Sequence, residues 1–203
     1  MTALRQNTKK RAENSYKTWM VSWLRPTPES VKVLLTEGKI TFSQAIFWLA
    51  VASIFYATLT KVTSFYIRQT PITSQNAGGL VGNIFVVSVI QLIGYFLLCG
   101  SIHLVAKLFK KNGDFQNYFI AYSFFTSPSI AIYGLISLSW YIFHSYIGVV
   151  VTILFQLYYL FWLNTIAIET VYKFHRVSAF FINVVMTAIL AFILYTLYIK
   201  GVF

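Results

Sequence analysis

The side chains able to move protons, attack a substrate or hold an ion are few in this chain and far apart. Its three histidines, His103, His144 and His175, fall in different segments, and it has one cysteine, Cys99, and five acidic residues. No metal-ligand spacing, nucleophile-and-base arrangement or phosphate-binding glycine loop follows from that set, which predicts no catalytic residue, no metal and no cofactor. What stands out instead is a handful of polar side chains inside apolar sequence: Gln91, Gln156, Asn164 and Asn183, with His103 and Glu169 near the ends of their stretches. Such groups cost on the order of kilocalories when buried without partners. For the amides the spacing predicts hydrogen bonds between helices, worth about 0.6 kcal/mol each. His103 and Glu169 fall at similar depth on two segments, which leaves room for a histidine–carboxylate pair, a structural contact before a proton-handling one, without establishing that the two interact.

The elements that must position these residues are set by charge-free stretches. The chain is 58% hydrophobic and 10% charged, against roughly 25% charged in a soluble globular protein. Crossing a hydrocarbon core of roughly 30 Å takes about 20 apolar residues. Ile40–Thr60, Leu80–Ala106 and Val177–Ile199 each have the length of one span, while Phe115–Ile168 runs 54 residues without Asp, Glu, Lys or Arg and suits two. The expectation is an all-α, polytopic membrane protein: five transmembrane helices over about 41–60, 81–105, 116–136, 147–168 and 178–199. Ser137–Tyr146 would turn the paired helices, and Trp140 would anchor that turn at the headgroup level.

Of the 16 basic residues, eight precede the first span, three join the second and third (Lys107, Lys110, Lys111) and two join the fourth and fifth (Lys173, Arg176). Retention of positive charge in the cytosol puts these thirteen on one side, predicting a cytosolic N-terminus and an outside or lumenal C-terminus. The net charge of +11 is read as that retention, with anionic lipid headgroups as partners of the basic N-terminus and no nucleic acid. The compartment would be the plasma membrane in a prokaryote and a secretory-pathway membrane in a eukaryote. With charge throughout its first 39 residues, the chain carries no pattern of a cleavable signal peptide.

Residues 1–15 are expected to form a flexible cytosolic tail and residues 16–40 an interfacial amphipathic segment anchored by Trp19 and Trp23. Within it, Thr27 and Pro28 can start a short helix that ends at Gly38; its apolar side, Val31, Val33, Leu34 and Leu35, suits a membrane surface or, alternatively, a docked partner. Thr41 with Gln44 forms a capping-box pair at the first span, and Asp114 is placed to cap the third after the break at Gly113. Lys61–Gly79, with Pro71, Asn76 and Gly78-Gly79, reads as the longest loop between spans. Pro128 removes one hydrogen bond from the third span and predicts a kink there, with Ser127 and Ser129 able to replace part of the loss.

The block GSIHLVAKLF (Gly100–Phe109), KKNGDF (Lys110–Phe115) and AYSFFTSP (Ala121–Pro128) resembles the Yip-one, or Ypt-interacting-protein, family of five-span membrane proteins. The order of features is the same: a span ending in a His-containing stretch, a short basic loop with glycine, then Phe, an aromatic-and-small run, and Pro. His103, Gly113, Asp114, Phe115 and Pro128 carry the likeness. Trp23, Pro26 and Pro28 before the first span, and His175 with Ala179 before the fifth, extend it over most of residues 19–199. Where the family has paired glycines this chain has Gly113 alone, and its fourth span ends in IAIETVY without the family's Gly-Leu. The resemblance implies a non-enzymatic protein that organises membrane shape, trafficking or partner proteins; the eukaryotic members are associated with the early secretory pathway and prenylated Rab-type GTPases. The alternative from the residues themselves is a small permease or an accessory subunit of a transport complex, with Gln91, Gln156, Asn164 and Glu169 as a polar path.

Overall fold

The computed structural model describes residues 26–37, 40–67, 74–143, 150–151, 153–155 and 157–199, and every regular element among them is helical. Trp19, Trp23 and Gln156, the tail 1–15 and the first part of the interfacial segment lie outside the described residues, as does the side chain of Trp140. In chain order the helices are α1 (Pro28–Glu37), α2 (Phe42–Ile67), α3 (Ser74–Leu108), α4 (Phe115–Phe143), a π-helical stretch (Leu157–Leu163) running directly into α5 (Asn164–Tyr172), and α6 (Arg176–Ile199).

Local chemistry starts these helices where the sequence predicts. Thr27 Oγ1 accepts from the Ser30 amide (3.1 Å) and Ser30 Oγ accepts from the Thr27 amide (3.0 Å), a reciprocal cap with Pro28 at the first helical position. Thr41 and Gln44 make the same exchange at α2, with bonds of 2.9 and 3.2 Å. Asp114 Oδ2 accepts from the Asn117 amide (3.1 Å) at the start of α4. These bonds satisfy amides that a lipid environment cannot.

Among the described residues, four helices are long and apolar enough to cross a membrane, over Phe42–Ser64, Gly78–Leu108, Phe115–Ile136 and Arg176–Ile193. Their outward residues are large and apolar, among them Phe47 and Trp48 on α2, Phe85 and Leu104 on α3, and Phe181 and Phe192 on α6. Water would penalise so continuous an apolar surface, and lipid does not, so the bundle is compatible with an integral membrane protein. α4 is the central helix: Tyr118, Phe119, Ala121, Tyr122 and Phe125 are all buried, and α1, α2, α3, α5 and the π-helical stretch pack around it. It packs against α2 at Gly134, where a Cβ would stand 2.9 Å from Leu59 Cδ1.

Several boundaries differ from the expectation. α2 continues to Ile67 and α3 begins at Ser74, so most of the expected loop Lys61–Gly79 is helix and Gly78-Gly79 lies inside α3. Thr60 and Thr63 donate their hydroxyls to the carbonyls of Tyr56 and Leu59, which lets them sit in a helix without unpaired groups. At 35 residues, α3 is roughly 52 Å long, so it must tilt or project beyond a hydrocarbon core of roughly 30 Å. α4 runs through the expected turn to Phe143 because no Gly or Pro interrupts Ser137–Phe143. Of the apolar side of α1, Val31 and Leu34 are buried within the chain's own core, against α4 and α5, while Val33 and Leu35 are half-buried. The stretch expected as a span over 147–168 is not one straight α-helix, since it widens into the π form over Leu157–Leu163.

Candidate functional site

α4, α5 and α6 converge on a buried polar chain at one end of the bundle. Tyr118 donates its hydroxyl to Asn164 Oδ1 (2.8 Å), Asn164 Nδ2 donates to Asn183 Oδ1 (2.6 Å), and Asn183 Nδ2 donates to the Phe161 carbonyl (3.1 Å). All three side chains are buried, Tyr118 and Asn183 completely. A carbonyl can only accept, so Phe161 obliges Asn183 to turn its amino group toward it. That leaves Asn183 Oδ1 facing Asn164, which must then present Nδ2, and Tyr118 is left to donate to Asn164 Oδ1.

The π-helical stretch makes this possible. An i→i+5 turn shifts the backbone register and opens carbonyls to side chains, and the Phe161 carbonyl accepts the Thr165 hydroxyl as well as Asn183. The chain of bonds therefore pins the widened turn to α4 on one side and α6 on the other. Two of its three side chains are amides with no exchangeable charge state, so it holds helices together and conducts no proton.

Next to this chain, Tyr172 stacks obliquely on Tyr118 (centroids 5.3 Å apart) and shares a hydrogen bond with His103 Nδ1 (2.8 Å). Burial raises the Tyr172 phenol above its ordinary value, which keeps it neutral. Gly113 lies against the same ring: a Cβ there would come within 2.2 Å of Tyr172 Cδ1 and 2.7 Å of the Val171 carbonyl oxygen. Only glycine lets the loop after α3 approach so closely.

The two loops at this end are joined. α3 closes with a Schellman arrangement in which the Lys111 amide bonds to the Ala106 carbonyl (3.0 Å), the Lys110 amide to the Lys107 carbonyl (2.9 Å), and Lys110 takes a left-handed φ of 55°. Lys111 Nζ then reaches across to the Lys173 carbonyl (3.2 Å) and lies 5.0 Å from the centre of the Phe174 ring. Lys173 ends α5, also left-handed at φ 54°. Lys107, Lys110 and Lys173 remain exposed beside Leu108 and Phe109, giving this end a basic and partly apolar surface.

The residues singled out in the sequence thus separate into groups. His103, Gly113, Phe115 and Asn164 gather at the basic end, where the His103 and Phe115 rings meet edge to face at 5.6 Å and Asp114 caps α4. His103 and Glu169 do not pair. Glu169 instead holds Arg176 in a two-point contact (2.8 and 3.4 Å), and Arg176 also sits over the Trp162 ring. The chemistry favours that outcome: a guanidinium satisfies both carboxylate oxygens, which imidazole cannot. Gln91 lies twelve residues before His103 on α3, roughly 18 Å along the helix, so Gln91, Asn164 and Glu169 form no continuous path. Around Pro128, Ser127 Oγ donates to the Ser123 carbonyl (2.8 Å) and Ser129 Oγ to the Phe125 carbonyl (2.6 Å), bracing the turns on either side. Tyr118, Tyr172 and Lys111 carried no signal in the sequence, because a tyrosine in an aromatic run reads as packing and a loop lysine as a solvated charge. No family model, curated protein or solved structure matches the chain.

Proposed function

We propose that the chain is a non-enzymatic, multi-pass membrane protein of the Yip-one type that organises membrane shape, trafficking or partner proteins through its basic end. The observation that carries this reading is the preassembly of that end. Its two loops are fastened by Lys111 and Gly113, so the exposed Lys107, Lys110 and Lys173 are presented on a fixed frame. A fixed array of cations suits anionic headgroups or an acidic protein surface, because little ordering remains to be done on binding. In this reading the basic end and the N-terminus face the cytosol and the C-terminus lies outside or in a lumen.

The reading has five crossings. Asn164 bonds to Tyr118 near the start of α4, while α4 ends at Phe143. From Tyr118 to Phe143 is roughly 38 Å along a helix, and a further crossing ahead of Asn164 accounts for its return to Tyr118. A transport role lacks support of the same kind, since Asn164 and Glu169, two of the residues proposed for a path, are engaged in separate local contacts.

Affinity purification in mild detergent from native membranes tests the proposal, comparing the wild-type chain with a Lys107→Glu/Lys110→Glu/Lys173→Glu variant. The three positions are exposed, so the fold should persist. The expected result is loss of co-purifying proteins and of acidic-lipid enrichment in the variant. Identical retention in both, or substrate flux in proteoliposomes, would count against it.

A further inference from the structure

Away from the basic end, α2, α3, α4 and the segment before α5 enclose a cavity of about 280 Å³. Tyr56, Tyr95, Tyr133 and Tyr159 line it, each with a ring and a hydroxyl, and Gln91, Thr126 and Ser129 are its other polar residues. Every lining residue is half-buried rather than sealed. Among the described residues, no Lys, Arg, Asp, Glu or His lines it. Gln91 lies near the middle of Gly78–Leu108 and Tyr56 within Phe42–Ser64, two of the helices long enough to cross a membrane, which sets the cavity at membrane depth.

One wall atom lacks what it needs. Gln91 Oε1 is buried and has no hydrogen-bond partner among the described residues. An unmet acceptor in such a place is a standing cost; Gln91 itself lines the cavity, and a turn of the broad terminal torsion of glutamine brings Oε1 toward that space, from which a donor can be supplied. By contrast, the Ser129 hydroxyl is already committed to the Phe125 carbonyl. The volume equals about nine water molecules in the liquid. The surface that the wall exposes is more apolar than polar, which suits a ligand with an apolar body better than a pool of water. A charged headgroup is excluded because nothing in the wall would neutralise it.

We propose that this cavity binds the head of an uncharged, membrane-dissolved amphiphile that has an apolar ring and a hydroxyl, the ring against the tyrosines and the hydroxyl donating to Gln91 Oε1. The site is independent of the basic end and takes its ligand from the bilayer.

The test uses 4-propylphenol and 4-propylanisole, which share a ring and chain and differ in the hydroxyl proton. Each is titrated into the purified full chain in detergent while thermal unfolding is followed. The phenol should raise the unfolding temperature saturably and the anisole should not. Gln91→Leu should weaken the phenol by about five- to tenfold, the worth of one hydrogen bond. If that variant does not fold, Ile130→Phe fills the cavity from its apolar wall and must weaken the phenol instead. Equal effects of the two compounds would reveal partition into the micelle, and no saturable effect of the phenol would leave the cavity without this ligand class. Either result overturns the proposal, as does unchanged phenol binding in a folded Gln91→Leu protein.

Discussion

Removing Asn164 tests the buried polar chain where it is most constrained. Asn164→Leu keeps the side chain's approximate volume but removes two buried bonds, the one from the Tyr118 hydroxyl and the one to Asn183 Oδ1. An unmet buried partner costs about 1–3 kcal/mol in a soluble protein, while interhelical bonds in membrane proteins average about 0.6 kcal/mol and reach about 1.7 kcal/mol. The two lost bonds should therefore cost about 1–3 kcal/mol in total. Tyr118→Phe strands only Asn164 Oδ1 and should cost about 0.6–1.7 kcal/mol. In the double variant neither the Tyr118 hydroxyl nor Asn164 Oδ1 is there to be stranded, so the one bond between them, counted twice in the sum of the single losses, is lost once and the combined loss should fall short of that sum by about 0.6–1.7 kcal/mol. Equilibrium unfolding in mixed micelles, run as a full double-mutant cycle, measures this shortfall. Losses that add to within about 0.5 kcal/mol would refute the reasoning, because independent sites behave that way.

Further outcomes follow from the loops. Gly113→Ala should lower stability by about 1–3 kcal/mol, since its Cβ would press on Tyr172 and on the rigid Val171 carbonyl; a lowered unfolding midpoint checks it. Lys110→Gly should do the opposite and stabilise by about 1 kcal/mol, because Lys110 holds φ 55° at a cost that glycine escapes, and thermal unfolding should move upward. Cys99 is fully buried and should stay unreactive toward maleimides in the folded protein. Cysteines introduced at Lys110 and Lys173 should label from the cytosolic face of sealed membranes, and one at Phe203 from the opposite face; cytosolic labelling at 203 contradicts the proposed topology.

The features readable from sequence were those with local causes. Capping by Thr27, Thr41 and Asp114 depends on residues three positions apart, and each cap is present. Charge-free length likewise locates the long helices to within a few residues at their basic ends. The opposite ends were misjudged because turn-forming composition at Gly78-Gly79 and Ser137–Phe143 was outweighed by helix continuity, for which these residues are permitted though not preferred. The site was harder. Asn164 and Asn183 were recognisable as amides needing partners, but which partner each found depended on the π-helical register and on Tyr118, forty-six residues from Asn164. Hydrophobicity does not encode that register. The same holds for α1, whose amphipathic pattern specified an apolar contact without specifying that the chain's own α4 and α5 would supply it.

The division of α4 around Pro128 connects the two ends of the molecule. Before the proline, residues 118–125 are buried without interruption, braced by ring contacts among Phe96, Phe119, Tyr118 and Tyr172 and by the amide chain. Beyond it, residues 128–133 are all half-buried and the wall opens into the cavity. A proline in a helix forgoes one backbone bond, and here the flanking serines tie back to Ser123 and Phe125, anchoring the looser half to the rigid one. Dense packing leaves no room for a ligand, and a loosely packed half cannot hold loops in register. A single helix can serve both needs only by separating them along its length, with the rigid half framing the basic surface and the open half offering space within the apolar belt.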